Sequence, residues 1–197
     1  MAPLKKSKKM RLFLGIGYSP STAVRRLLDE LQSVEQSQAR EFKTTPVGNL
    51  HVTLKFLGPV PEAEVTRLID VMESGVSARE PFAANLSGPG CFSNSLWLGL
   101  EKNEQWSALC EMAAELEAGM ASAGFPPETR SYRPHLTVAR FKPGLRLKLS
   151  ELMDRYSGVN WGTLPVHAIH LYRSETLSEG PRYSILHTVK LKTSPAD

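Results

Sequence analysis

HVTLKFLG at residues 51–58 opens with a histidine, an apolar residue and a threonine, and HLTVARF at residues 135–141 repeats that order. Both stretches continue with β-branched, aromatic and aliphatic residues, which favour a strand. Because the side chains of a strand alternate between two faces, the histidine and threonine of each stretch share one face. Each stretch therefore predicts a polar pair backed by a buried core.

The elements around the two stretches follow a similar order. In the first half, the periodicity predicts a strand at 11–17, a helix at 19–34 with Ser19 as N-cap and Pro20 at its first position, the motif strand, and a helix at 61–76. In the second half, it predicts a strand at 95–101, a helix at 106–120 stopped by Gly124, the second motif strand, and a helix at 149–156. We interpret this order as an internal duplication.

Further strands are predicted at 81–92, 166–174 and 182–191. The fold class is therefore α+β, with mainly antiparallel sheet in two pseudo-symmetric lobes around a central cleft. We expect residues 1–10 to form a disordered basic tail and residues 11–197 to form one domain, its lobes contributed roughly by 11–90 and 91–197.

The composition narrows the class of protein. The chain has 197 residues, a formal net charge of +4 and two cysteines without the spacing of a disulfide framework, which favours a reducing cytoplasm. No segment approaches the ~18 apolar residues of a membrane span, and no glycine-rich phosphate loop or zinc-ligand spacing occurs. No heptad seam stands out, so we expect a monomer.

Two histidines on facing strands could act as one acid and one base, because the ordinary pKa of histidine lies near neutrality. A threonine hydroxyl two residues further on could donate a hydrogen bond to a phosphate oxygen. One such pair is a weak signal, whereas two at equivalent places point to function. His167, His170 and His187 lack a matching threonine in the sequence motif, and we interpret them as structural or surface residues.

The segment around the second motif, TRSYRPHLTVARFK at residues 129–142, is basic and contains aromatic residues. Such a mixture suits RNA, since arginines bind phosphates and aromatic rings stack on unpaired bases. Simple alternation points Arg140 away from the histidine face unless the end of the strand twists. The RNA-binding candidates are Arg130, Tyr132, Arg133 and Arg140.

The stretches NLHVTLKFLG and YRPHLTVAR resemble the two signature motifs of the two-histidine (2H) phosphoesterases. More narrowly, the chain resembles the RNA 2′,3′-cyclic phosphodiesterases, also called 2′-5′ RNA ligases. The resemblance extends from RLFLGIG through LWLGL to LYRSETLSEGPRYSILHTVKL. It implies a bilobal fold with a pseudo-twofold axis and a cleft lined by both motifs.

The resemblance also implies roles for four residues. His135 would be the proton acceptor that activates water, and His51 the proton donor to the departing 3′-oxygen. Thr53 and Thr137 would hold the phosphate oxygens. The product would carry a 2′-phosphate, and 2′-5′ ligation would be the reverse reaction with a 5′-hydroxyl in place of water.

The expected partner is RNA with a 2′,3′-cyclic phosphate end, with fragments of tRNA among the candidates, and we expect neither metal nor cofactor. Two alternatives stay open at this point. The cleft could be a non-catalytic module that binds RNA ends, or the enzyme could act on small cyclic phosphates of nucleosides or of ADP-ribose.

Overall fold

The computed structural model of the protein describes residues 8–37, 41–143, 151, 154–178 and 180–192. The α-helices described over their full length are α1 (Thr22–Ser37), α2 (Val65–Val76) and α3 (Glu104–Ser122). The described residues also contain nine strands: β1 (Lys9–Gly17), β2 (Phe42–Thr44), β3 (His51–Pro61), β4 (Phe82–Phe92), β5 (Ser95–Leu100), β6 (Leu136–Phe141), β7 (Thr163–Val166), β8 (Ala168–Leu177) and β9 (Gly180–Lys190). Two short 3-10 turns, Val47–Asn49 and Glu62–Glu64, precede β3 and α2.

The strands form one sheet in the order β7-β4-β5-β6-β3-β1-β8-β9, and β2 also pairs with β6. Every pairing between the described strands is antiparallel. The motif strands β3 and β6 lie side by side at the centre, with three strands beyond each of them. The predicted α+β, two-lobed antiparallel fold is therefore confirmed.

One face of the sheet forms the core beneath the helices. Leu14, Val52, Leu136 and Leu98 are all fully buried there, and α3 packs against β3 and β4 while α2 packs against α3. Burial of an aliphatic side chain contributes about 1.5–3 kcal/mol, so this face holds the motif strands together. The opposite face is left for polar and aromatic groups.

The two halves of the sheet differ from the division predicted from the sequence. Strands β4 to β7, residues 82–166, form one half. The hairpin of β8 and β9 crosses back to pair with β1 and completes the other half. Hydrophobic periodicity identifies strands but does not choose their neighbours, which explains the difference.

Several boundaries also differ. The N-cap of α1 is Ser21 rather than Ser19, because the Ser21 Oγ accepts from the backbone N of Val24 at 3.3 Å. The first strand begins at Lys9, two residues earlier than predicted, and β2 and β7 are too short to predict from periodicity. Half of the predicted helix at 149–156 lies outside the described residues, as do residues 1–7 of the basic tail, while Glu151, Asp154 and Arg155 are described as helical.

In the described part of the chain, no helix has the length and apolar character needed to cross a membrane.

Candidate active site

The motif strands bring the four predicted residues onto one face. Val52 of β3 lies opposite Leu136 of β6 in an antiparallel pair, and both side chains are fully buried. The neighbours of these two residues therefore point to the other face, where the antiparallel register sets His51 beside Thr137 and Thr53 beside His135. The result is a diagonal arrangement of two histidines and two threonines.

Both histidines are oriented by the same local hydrogen bond. The Nδ1 of His51 donates to the carbonyl oxygen of Asn49 at 2.6 Å, and the Nδ1 of His135 donates to that of Arg133 at 2.7 Å. Because a carbonyl oxygen only accepts, Nδ1 carries the proton in each ring and Nε2 is left for proton transfer. In His51, this Nε2 lies 3.1 Å from the Thr53 Oγ1.

Aromatic rings pack around His51. Its ring centroid lies 4.8 Å from that of Phe13 and 5.2 Å from that of Tyr183, which meets it edge-on. Space for the imidazole depends on Gly15 of β1, where a Cβ would come within 3.5 Å of the His51 ring and 3.0 Å of the Val52 carbonyl oxygen. The rings and the glycine together fix the imidazole plane.

His135 has a similar setting in the other half. Its centroid lies 5.2 Å from that of Phe92, again edge-on, and 6.2 Å from that of Trp97. Trp97 lies across β4 over Gly90, where a Cβ would come within 2.2 Å of the indole. Any side chain larger than hydrogen at residue 90 would displace the indole that contacts His135.

Burial lowers the pKa of both histidines. For His51, burial is the largest cause, and the positive charges of Arg140 and His135 lower the pKa further against the hydrogen bond to Asn49. For His135, burial again comes first and Arg140 adds to it. Both rings are therefore neutral at pH 7 in the free protein, and a bound anion would favour their protonated forms.

Arg140 lies on the histidine face, against simple alternation, and a β-bulge explains why. Trp97 pairs with Thr137 and Leu96 with Ala139, so Val138 is an extra residue in β6. Such a bulge shifts the alternation by one residue. It buries Val138 and Ala139 together and returns Arg140 to the histidine face.

Two cavities adjoin the motif strands, the larger between β3, α3 and the segment that leads to β6, and the smaller on the histidine face. The larger has a volume of about 640 Å³ and is lined in part by Thr53, Phe56, Phe92 and Arg133. The smaller, about 60 Å³, is lined in part by the following residues: Lys43, Asn49, His51, Thr137, Arg140 and Tyr183. The motif residues thus stand between two spaces that a ligand could enter.

Two of the predicted RNA-binding residues have structural contacts. The Tyr132 hydroxyl donates to the carbonyl oxygen of Thr53 at 3.2 Å, and burial raises the pKa of this phenol far above its ordinary value. Arg130 forms a local ion pair with Glu128 at 2.8 Å while its side chain stays 78% exposed. Their proposed contacts with RNA stay predictions.

A family model described as the 2′-5′ RNA ligase superfamily matches residues 12–176. The chain belongs to this superfamily. The family predicted from the two motifs is confirmed.

Curated members of the superfamily resemble nearly the whole chain. An RNA 2′,3′-cyclic phosphodiesterase of Methanothermobacter thermautotrophicus is 34% identical over 189 residues, which are 93% of this chain and 100% of the relative. A protein of Thermus thermophilus with the same name is 31% identical over 191 residues, 93% of this chain and 91% of the relative.

Solved structures agree on the fold. A crystal structure of a Thermus thermophilus protein matches with a TM-score of 0.70 and 28% identity, covering 92% of this chain and 98% of that one. The apo form of E. coli LigT matches with a TM-score of 0.70 and 23% identity, covering 95% and 100%. The second likeness shows the fold alone.

Sequence reasoning missed an ion pair that supports the superfamily motif strand β3. The Lys55 Nζ donates to the Glu117 Oε2 at 2.7 Å and Oε1 at 2.8 Å, and to the carbonyl oxygen of Pro126 at 3.0 Å. Glu117 also accepts from the backbone N of Glu128 at 2.9 Å. The pair joins β3, α3 and the segment that leads to His135.

The other histidines lie outside the motif pair. His170 Nδ1 of β8 lies 2.9 Å from the Thr188 Oγ1 of β9. Its threonine partner is therefore on the neighbouring strand and not on its own. His187 Nε2 lies 3.1 Å from Glu73 Oε1. Within the residues that the structure describes, no three histidine, cysteine or acidic side chains come together as a metal site.

Proposed function

We propose that this protein hydrolyses the 2′,3′-cyclic phosphate ends of RNA to 2′-phosphomonoesters, using His51 and His135 as acid and base without a metal ion. The observation that carries the proposal is the diagonal His–Thr arrangement on β3 and β6, in which each Nδ1 is tied to a backbone carbonyl. Membership of the superfamily and the names of the curated relatives support the choice of substrate.

In the proposed reaction, the Nε2 of His135 accepts a proton from water while the water oxygen attacks phosphorus. The bond from phosphorus to the 3′-oxygen breaks, and protonated His51 donates its Nε2 proton to that oxygen. The 2′-ester bond stays, so the product is a 2′-phosphate. The assignment of acid and base follows the family resemblance, since the two histidines have equivalent local contacts.

Negative charge develops on the non-bridging phosphate oxygens as water attacks. The hydroxyls of Thr53 and Thr137 and the guanidinium of Arg140 lie on the histidine face and would donate to these oxygens. Donors already in place at a developing charge stabilise the transition state, commonly by several kcal/mol in total. The bound phosphate would also raise the pKa of His51 and so keep the acid protonated.

The two cysteines, Cys91 and Cys110, are both free. Their free thiols fit the reducing cytoplasm that we propose as the site of activity. We further propose that the protein acts as a monomer and that cleaved tRNA is among its natural substrates.

The test is incubation with an end-labelled oligoribonucleotide that carries a 2′,3′-cyclic phosphate, in the presence of a chelator. We expect conversion to a 2′-phosphate, resolved from the 3′-phosphate by electrophoresis beside synthetic standards. An absolute need for a divalent ion would contradict the metal-free mechanism. RNA binding without turnover would instead indicate a module that binds RNA ends, and turnover only of nucleoside cyclic phosphates would indicate a smaller substrate.

A further inference from the structure

Lys43 and Arg140 form a pair of cations on the face of the catalytic histidines. Lys43 of β2 lies directly opposite Arg140 of β6, between the pairs Phe42–Phe141 and Thr44–Ala139. Phe42 and Ala139 are fully buried. Alternation therefore turns Lys43 and Arg140 outward, side by side.

Two like charges at directly opposite positions of a sheet destabilise it. The structure offsets this only in part: the Lys43 Nζ lies 3.1 Å from the Glu35 Oε1 of α1, and the lysine side chain stays 60% exposed. Glu35 itself is fixed, since its Oε2 accepts from the backbone N of Thr44 at 2.9 Å. An ammonium group has three donors, and Glu35 takes one of them, so Lys43 is held in place with capacity for an anion.

The position of Lys43 relates that anion to the reacting phosphate. Lys43 lines the same small cavity as His51, Thr137 and Arg140, but it lies one strand beyond the motif residues. A cyclic phosphate offers two non-bridging oxygens and one negative charge, which the threonines and Arg140 already serve. An anion at Lys43 is therefore a second group on the same ligand.

We propose that Lys43 binds the 5′-phosphate of the terminal nucleoside, so that Arg140 and Lys43 hold successive phosphates of one RNA strand. This inference rests on the proposed function and adds a second phosphate of the RNA to the groups that the site recognises. A nucleoside 2′,3′-cyclic phosphate lacks the second phosphate, whereas every RNA end carries it. Lys43 thereby selects polynucleotide ends over free nucleoside cyclic phosphates.

The experiment compares two substrates that differ only in that group: adenosine 2′,3′-cyclic phosphate with and without a 5′-phosphate. For the wild type, we expect the 5′-phosphate to raise kcat/KM about tenfold through KM, at the lower end for a charged hydrogen bond because the site is exposed. Lys43→Ala should remove most of this gain, and Lys43→Arg should keep it. Lys102→Ala is the matched control, because Lys102 is exposed in the turn between β5 and α3.

Salt dependence gives a second measurement on the cyclic-ended oligoribonucleotide. One lost phosphate contact should reduce the slope of log KM against log salt concentration by about 0.7 in Lys43→Ala. Thermal unfolding of each variant, followed by circular dichroism, checks that the fold is intact.

Three outcomes would overturn the inference or its basis. An equal 5′-phosphate gain in the wild type and in Lys43→Ala would show that Lys43 does not bind that group. An equal loss on both substrates would place Lys43 at the reacting phosphate or in the fold. No turnover of either substrate or of the oligoribonucleotide by the wild type would contradict the proposed function itself, which separates that failure from the first two.

Discussion

The two motif strands are alike up to the threonine and differ after it. Each histidine donates through Nδ1 to the carbonyl two residues earlier, and each strand has a bulge directly after the threonine, at Leu54 in β3 and Val138 in β6. The next outward residue is Phe56 in β3 and Arg140 in β6. The equivalent His-x-Thr residues can both act in proton transfer at one phosphate. The residues after the threonines differ, so the cleft is polar at Arg140 and apolar at Phe56.

The residues just after the bulges also differ. In β6, Ala139 is a small core residue, whereas β3 has Lys55, whose side chain is fully buried against Glu117. The ion pair connects β3, in one half of the sheet, to α3 and the segment before His135, in the other half. The asymmetry of the two strands is thus connected to how the halves are held together.

The largest effect on activity should come from removing either motif histidine. His51→Ala and His135→Ala should each lower kcat by about 10²–10⁴, the usual worth of one acid or base, while affinity for a cyclic-ended oligoribonucleotide is retained. Rapid quench gives the rate, and fluorescence anisotropy gives the affinity. His187→Gln is the control, since His187 contacts Glu73 away from the motif pair. A loss of affinity with unaltered turnover would contradict the equivalence of the two strands as catalysts.

The next largest effect, on stability, should come from removing the ion pair between Lys55 of β3 and Glu117. Glu117→Leu leaves the buried Lys55 ammonium without its carboxylate and should reduce the free energy of unfolding by about 3 kcal/mol. Adding Lys55→Met to Glu117→Leu should recover most of that loss, because two apolar groups then replace the pair. Urea denaturation measures both variants.

Glu35→Gln is the matched control for this pair, because its partner Lys43 is largely exposed. Such exposed pairs contribute about 0–1 kcal/mol, so Glu35→Gln should change stability by less than about 1 kcal/mol. A cost for Glu117→Leu as small as that of Glu35→Gln would show that the buried pair does not hold the halves together.

The threonines test whether both halves hold the same phosphate. Thr53→Val and Thr137→Val keep the shape and remove one hydroxyl each, so we expect each to lower kcat/KM by about 10–100-fold, the worth of a hydrogen bond to a charged group. Steady-state kinetics on the cyclic-ended oligoribonucleotide measures this. A loss in only one variant would mean that the phosphate lies against one half rather than between the two.

The features that β3 and β6 share could be predicted from the sequence. The repeated His-x-Thr pattern predicted that the four motif side chains share one face, because strand alternation is a local property, and the repeated order of elements predicted the two-lobed sheet. The direction of Arg140 depends on a bulge set by pairing with β5, and Lys55 finds Glu117 across 62 residues. Neither pairing leaves a local periodic signal, and β2, with three residues, is too short to show one.

The smallest effect concerns pH. Burial and then the charge of Arg140 lower the pKa of both histidines below 6.5, so the optimum of kcat/KM should lie on the acid side of pH 6.5. The acid limb of the profile reports deprotonation of the base His135 and the alkaline limb reports deprotonation of the acid His51. Arg140→Gln removes the positive charge, raises both pKa values and should move both limbs to higher pH.

Phe56→Gln is the symmetric control for that profile, since Phe56 holds the equivalent position in β3 without a charge. Its limbs should stay where the wild type has them. Limbs that move equally in both variants would indicate a change in burial rather than the loss of a charge.

The most direct test of the central claim, that one histidine is the acid and the other the base at a single phosphate, changes the leaving group. In a cyclic phosphate whose bridging 3′-oxygen is replaced by sulfur, the leaving thiolate has a pKa near 8.5, as for a cysteine thiol, and departs without a proton donor. We predict that His51→Ala turns over this substrate at close to the wild-type rate, whereas His135→Ala stays impaired. Equal impairment of both variants, or rescue of His135→Ala alone, would contradict the account.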